Sequence, residues 1–349
     1  MSTITRAQIV GDEIQIPVEL WRNDSGIFVV SLSLPRTYFR EPFFTDSLAK
    51  SFSILKSGIK VHREDTPLTR PVHYDEKDKR VIYTPINEFV QRHSGVRVDK
   101  KPGFIFHMSR CGSTLTAQML AISNRFFVLS EPTIINSVLD PALNISQENR
   151  SQLLLASIKA LAMCSPKACD YVFIKFRSWN VLYLEYILQN FPDVSWMFIH
   201  RYGLEVLQSV LEKPPGWLRS RRSYARYFSD FLGIDEKSLR TISDNEYASR
   251  MLGIFCRTAR NLSSQNSMFV DYDNLKNDFA TVMKKLWNID LTTEEIHAME
   301  RISKLDSKDA SKTKLFEPDS KTKIAKSTKI QKTLVSRFVE NERVKLTNQ

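Results

Sequence analysis

The chain has 349 residues, 42% of them hydrophobic and 26% charged, with a formal net charge of +11. This is ample apolar content for one large domain or two modest ones, and it excludes a disordered chain. No apolar run is long enough to span a bilayer, the opening Met1-Ser-Thr-Ile-Thr-Arg lacks a secretory core, and 4 cysteines are too few for a disulfide framework. The expectation is a cytoplasmic protein with no membrane span, and the positive charge calls for an anionic partner.

Glu13-Ile-Gln-Ile-Pro-Val alternates in polarity and Gly26 to Leu34 is rich in β-formers, so residues 1–100 are expected to form a smaller β-rich N-terminal module of strands and turns. The aromatic run Tyr38-Phe-Arg-Glu-Pro-Phe-Phe44 is expected to pack as core. Pro67 to Lys79 reads as a polar connection ahead of a strand at Val81-Ile-Tyr-Thr84.

From Pro102 the pattern changes. Predicted strands at 104–107, 126–129, 171–175 and 194–200 alternate with predicted helices at 113–123, 151–162, 181–190 and 204–211. Alternation of this kind needs crossover connections, so residues 101–303 are expected to form a three-layer α/β domain, a parallel sheet flanked by helices. Ligands of such sheets bind at the carboxyl ends of the strands, where Arg110, Glu131, Lys175 and Arg201 fall. Residues 304–349 form a Lys-rich C-terminal segment, whose first reading is a solvated tail. Phe316 is the one aromatic interleaved among the lysines between Lys304 and Lys332, so nucleic acid is not an expected partner.

The most informative stretch is Phe104-Ile-Phe-His-Met-Ser-Arg-Cys-Gly-Ser-Thr-Leu115, an apolar strand running into a short polar turn and then a helix. Leu115, Met119 and Ile122 fall on one helical face. Backbone N–H groups, Gly112, the hydroxyls of Ser113 and Thr114 and the helix start make such a turn a P-loop-like phosphate cradle. A nucleoside-triphosphate loop has a lysine after its second glycine, and here Ser113 stands there. Arg110 brings the positive charge from before the glycine, where its fork can grip two phosphate oxygens.

This turn resembles the 5′-phosphosulfate loop of sulfotransferases that use 3′-phosphoadenosine 5′-phosphosulfate (PAPS). Arg201, with Ser209 eight positions on, is similar to the same family's 3′-phosphate motif and follows the apolar stretch Val194 to His200. Tyr171-Val-Phe-Ile-Lys-Phe-Arg177 and Met268-Phe-Val-Asp-Tyr-Asp-Asn-Leu275 match further family segments in the same order. The resemblance covers roughly Pro102 to Leu291. It implies a PAPS-dependent sulfotransferase that needs no metal. Arg110, Cys111, Gly112, Ser113, Thr114, Arg201 and Ser209 would hold the anionic nucleotide co-substrate. It also raises a second reading of the C-terminal segment, in which Lys312, Lys314, Lys321 or Lys323 folds back over the phosphates.

Sulfuryl transfer needs a base for the acceptor's proton, a cation at the leaving phosphate, and a firmly held nucleotide. Glu131, after a short apolar strand and before Pro132, is the candidate general base; as a plain structural residue it would stabilise a helix start. The resemblance gives Lys175 the leaving-group role, against the alternative of a surface cation. Arg177 stands where cytosolic members of the family carry a catalytic histidine, and arginine cannot act as a base near neutral pH, which turns the base role toward Glu131. His107 and His200 end apolar strands and read chiefly as packed residues, His107 being next in line as base. Cys111 reads as a thiol of lowered pKa or, more simply, as a small residue in a tight loop. Arg219, Arg221, Arg222 and Arg226 mark an acceptor lid or a solvated helical face. The acceptor, a hydroxyl or amine, has no signature. Competing readings are a P-loop kinase or phosphotransferase with an atypical loop, and a non-catalytic nucleotide- or partner-binding protein.

Overall fold

Two antiparallel neighbours, β1 (Glu13–Asn23) and β2 (Gly26–Pro35), are joined by a tight turn at Asp24 and Ser25, as the alternating sequence predicts. The computed structural model of the protein describes residues 13–54, 78–309 and 311–347, without the side chains of 52–54. The proline-marked connection expected over 67–79 therefore lies outside the described residues, except for 78 and 79. β3 (Val81–Pro85) completes a three-stranded sheet in the order β1-β2-β3. The register of β1 shifts between Pro17 and Glu19, and at this bulge the Val18 carbonyl accepts a hydrogen bond from the Thr133 hydroxyl. Two helices that the β-rich reading did not anticipate belong to the same stretch, α1 (Phe44–Ile54) and α2 (Ile86–Ser94). In α2 the apolar positions are too few for sequence periodicity to reveal a helix, and it buries Phe89 alone.

The larger sheet contains β4 (Lys101–His107), β5 (Phe126–Ser130), β6 (Tyr171–Lys175), β7 (Ser195–His200) and β8 (Ser267–Asp271), in the parallel order β5-β6-β4-β7-β8. Strands β4 to β7 are buried almost without interruption, as expected of a parallel sheet covered on both faces, whereas the edge strand β8 is mostly half-buried. The crossovers are α3 (Ser113–Leu120), α4 (Thr133–Leu139), α5 (Gln147–Met163), α6 (Leu184–Asn190) and α7 (Gly203–Glu212). α3 stops at Leu120, short of the predicted 123, leaving Ile122 in the turn that follows. The predicted helix over 181–190 is a 3₁₀ turn at Ser178–Tyr183 leading into α6. Beyond α7 come α8 (Gly216–Arg219), α9 (Ala225–Leu232), α10 (Glu236–Thr241), α11 (Asp244–Asn261), α12 (Tyr272–Trp287) and α13 (Thr293–Ser303). The C-terminal segment adds α14 (Ser320–Lys326) and α15 (Lys329–Val335), continued by a π-turn at Ser336–Glu340 and the short α16 (Asn341–Arg343).

By contacts, the described residues form two units. The first takes residues up to Gly103 together with Ala117–Lys175, and the second takes Phe104–Thr116 and the chain from Phe176 onward. In the first, Phe39 packs on Phe44 and Phe127 at 5.4 and 5.6 Å, so the aromatic run is core. In the second, Phe106 stacks on Phe176 at 4.4 Å and meets Trp196 edge-on at 6.0 Å. No described helix is long and apolar enough to cross a membrane.

Candidate active site

The loop after β4 belongs to the second unit. Ser109, Arg110 and Gly112 have φ of 84°, 48° and 86°, a left-handed run that curls the backbone into a nest of the kind that binds anions. Thr116 N–H bonds to the Gly112 carbonyl, so the helix starts directly at the nest. Ser113 and Thr114 are buried residues, and their hydroxyls bond no described residue. A Cβ at Gly112 would collide with the ring of Tyr272, so both the backbone angle and the close approach require glycine. Arg110 donates to the Lys213 carbonyl at 3.1 Å, holding its guanidinium at the mouth of the loop.

Strain of this kind needs a strut, and His107 provides it. Its Nδ1 accepts from the Ser109 N–H at 3.1 Å, so Nε2 carries the hydrogen and donates to the Phe176 carbonyl, also at 3.1 Å. The ring is buried with both nitrogens engaged, which fits the packed reading rather than a general base. Cys111 is also buried, its thiol donating to the Ile199 carbonyl at 3.0 Å, so the small-residue reading holds over that of an exposed reactive thiol.

Arg201 follows β7 in the same unit and is 7% exposed. It pairs with Glu205, four residues on, and donates to the Ser320 hydroxyl at 2.8 Å. Its guanidinium lies 4.3 Å from the centre of the Tyr272 ring, the ring that closes on Gly112. Tyr272 thus lies against both the loop at 109–114 and Arg201, and burial raises its phenol above the ordinary value. The Arg201 Nε is buried with no partner among the described residues, a donor left over for an anion. Ser209 donates to the Glu205 carbonyl at 2.9 Å, so Glu205 touches both members of the Arg201/Ser209 motif. An acid four residues after an arginine is readable in sequence; Ser320, more than a hundred residues away, gives no such signal. Of the lysines expected to fold back, Lys323 pairs with Asp319 at 2.5 Å and Lys314 lies 3.8 Å from Asp306, and the C-terminal segment also meets Arg201 through the Ser320 hydroxyl. Within the arginine cluster, Arg221 is buried and bound to Asp244 and the Ile242 carbonyl, whereas Arg219, Arg222 and Arg226 are exposed.

Glu131 and Lys175 belong to the first unit. They end neighbouring strands, Ser130 lying opposite Lys175 in the register of β5 and β6. Lys175 is fully buried, which rules out the surface-cation reading, and its ammonium donates to Glu131 Oε1 at 2.6 Å and to the Ser130 hydroxyl at 3.2 Å. It also lies 5.4 Å from the centre of the Phe43 ring, a neighbour that no sequence pattern announces. Glu131 turns sharply, with φ of 63°, while its N–H bonds to the Lys175 carbonyl at 2.7 Å. Its carboxylate thus meets the lysine, while Pro132 takes the cap position of α4. Backbone strain in a non-glycine residue at the end of a strand is a mark of functional positions.

No family model matches the sequence, and no curated protein matches it. The chain is similar in structure to sulfotransferases. One is STF9 from Mycobacterium avium, at 11% identity over 73% of this chain and 81% of that one, with a TM-score of 0.43. Another is the sulfotransferase domain of the Synechococcus PCC 7002 olefin synthase, at 15% over 72% and 95%, with a TM-score of 0.37. A third is mouse SULT7A1 complexed with PAP, at 13% over 75% and 92%, with a TM-score of 0.36. Among the described residues, no group of three or more His, Cys, Asp or Glu side chains is placed to hold a metal ion.

Proposed function

We propose that the protein is a sulfotransferase that takes its sulfuryl group from PAPS and passes it to a hydroxyl or amine. The observation that carries this reading is a strained cradle and a buried arginine in one unit, each suited to an anion. A strained cradle at 109–114 lacks the triphosphate-loop lysine, and the buried Arg201 keeps an unpartnered Nε, with Tyr272 against both. Two anion sites suit a nucleotide with phosphates at both ends of its ribose better than one with a single polyphosphate chain.

The co-substrate supplies an activated sulfuryl group; the remaining tasks fall to the chain. Arg110, the backbone N–H groups of 110–112, and the Ser113 and Thr114 hydroxyls hold the 5′ end, while Arg201 holds the 3′-phosphate with Ser209 beside it. Glu131 accepts the acceptor's proton as the acceptor atom bonds to sulfur and the bond from sulfur to the phosphate oxygen breaks. Protonation neutralises the Glu131 carboxylate and loosens its hold on Lys175, leaving that ammonium to offset charge growing on the leaving phosphate. The buried setting of Lys175 supports the role, because water does not screen its charge there. Calorimetry with adenosine 3′,5′-bisphosphate, set against ATP with Mg²⁺, tests the reading. Micromolar or tighter binding of the bisphosphate is expected; tight ATP binding without a response to the bisphosphate would replace the sulfotransferase with a kinase.

A further inference from the structure

Arg201 and Tyr272 are each held from behind by residues near the C-terminus. Glu340 Oε1 accepts from the Gly203 N–H at 2.8 Å, at the first residue of α7 and two residues past Arg201. A Cβ at Gly203 would stand 2.7 Å from Val339 and 2.8 Å from that same oxygen, so the close approach depends on glycine. Glu340 Oε2 in turn accepts from Arg343, Nε at 2.9 Å and Nη2 at 2.8 Å. The Arg343 Nη1 then donates to Asp271 Oδ2 at 2.9 Å. Asp271 caps α12 by accepting from the Asp273 N–H at 3.0 Å, and Tyr272 is the first residue of that helix. One chain of bonds therefore runs from the helix start behind Arg201, through Glu340 and Arg343, to the cap of the helix carrying the ring under Arg201. Sequence patterning assigned none of these residues a role.

We infer that Glu340 and Arg343 are positioning residues for the 3′-phosphate site: they fix the distance between the start of α7 and the start of α12, and so the guanidinium of Arg201 on the Tyr272 ring. Arg343 suits the task because its planar fork meets two carboxylates at once, one on each side of the gap it spans. Arg343 is largely buried, and the pull of the Glu340 and Asp271 carboxylates outweighs the burial that opposes its charge, so it stays protonated. His200 on β7, buried beside Asp271 at 3.5 Å, and the buried Cys256 thiol on α11 are further titratable groups facing the pair. The inference rests on the reading of Arg201 as the 3′-phosphate ligand.

The test measures binding of two probes, adenosine 3′,5′-bisphosphate and adenosine 5′-monophosphate, to the full chain and to Arg343→Met and Glu340→Gln. The expected result for Arg343→Met is about a tenfold loss for the bisphosphate with the monophosphate changed less than about twofold, since only the site for the 3′-phosphate is disturbed. Glu340→Gln keeps an oxygen for the Gly203 N–H but drops the charge facing Arg343. It should show the same selective loss at about threefold, and it keeps the test open should Arg343→Met fail to fold. Equal losses for both probes, or no loss, would overturn the inference, because a purely structural role does not distinguish the two nucleotides. A wild-type chain without preference for the bisphosphate would instead remove the assignment of Arg201 itself.

Discussion

Lys175 gives the clearest case of a residue whose surroundings reverse its ordinary chemistry. Lysine normally keeps its ammonium in water, yet here it is fully buried against Glu131, Ser130 and Phe43. Removing one partner of a buried pair typically costs about 3–5 kcal/mol because the other charge is left uncompensated. The pair therefore tolerates exchange of Glu131 only for a group that still accepts from the ammonium. Glu131→Gln meets that condition, and it removes the proposed proton acceptor. Turnover is expected to fall about a hundredfold or more, the usual scale for loss of a general base, while bisphosphate affinity stays within about twofold. A steady-state rate measured beside a calorimetric titration checks both halves; undiminished turnover would move the base elsewhere.

At the scale of elements, the strand-loop-helix unit around 104–120 was legible because three signals coincide: an apolar run, a glycine-bearing polar turn and helical spacing. β6 was read to the residue, since Tyr171 to Ile174 is a short apolar run that begins after Asp170 and is closed by Lys175. The helices α1 and α2 were not, because the first follows an aromatic run that also suits a strand and the second is polar on most of its surface. Arg201 and Ser209 could be picked out through their resemblance to the family's 3′-phosphate motif, but Ser320, Glu340 and Arg343 could not, for their relation to Arg201 exists only through the folded chain. The cradle also makes a prediction at this scale. In Gly112→Ala the methyl group meets the Tyr272 ring at a φ of 86°, so the loop must unwind or the ring must move. We expect a stability loss of about 1–3 kcal/mol and a bisphosphate affinity lowered at least tenfold, measured by denaturant titration and calorimetry. Retained affinity would mean that the loop does not hold the nucleotide.

At the scale of the whole molecule, the buried histidine on β7 ties stability to pH. Burial lowers the pKa of His200 from 6.5 to about 4, against the opposing pull of Asp271 and with help from Arg343. Below pH 6.5 the unfolded chain takes up a proton that the folded chain refuses, so stability falls progressively as pH drops toward 4. The loss is on the order of 2 kcal/mol by pH 4.5, and above pH 6.5 the group adds no slope. Urea unfolding at pH 7 and 4.5 should show this difference in the wild type and a flatter profile in His200→Phe; equal slopes in the two proteins would assign the acid sensitivity to other groups.

The closure of α7 and α12 by Glu340 and Arg343 also bears on the order in which the molecule assembles. The partners of Arg201 come from segments far apart in the chain, and contacts of high sequence separation form late because loop entropy must be overcome before they are rewarded. The parallel strands and their crossovers can form before residues 320–343 dock. Ligand competence would then be the final event of folding, and a chain arrested short of it would have the sheet and only half of the proposed grip.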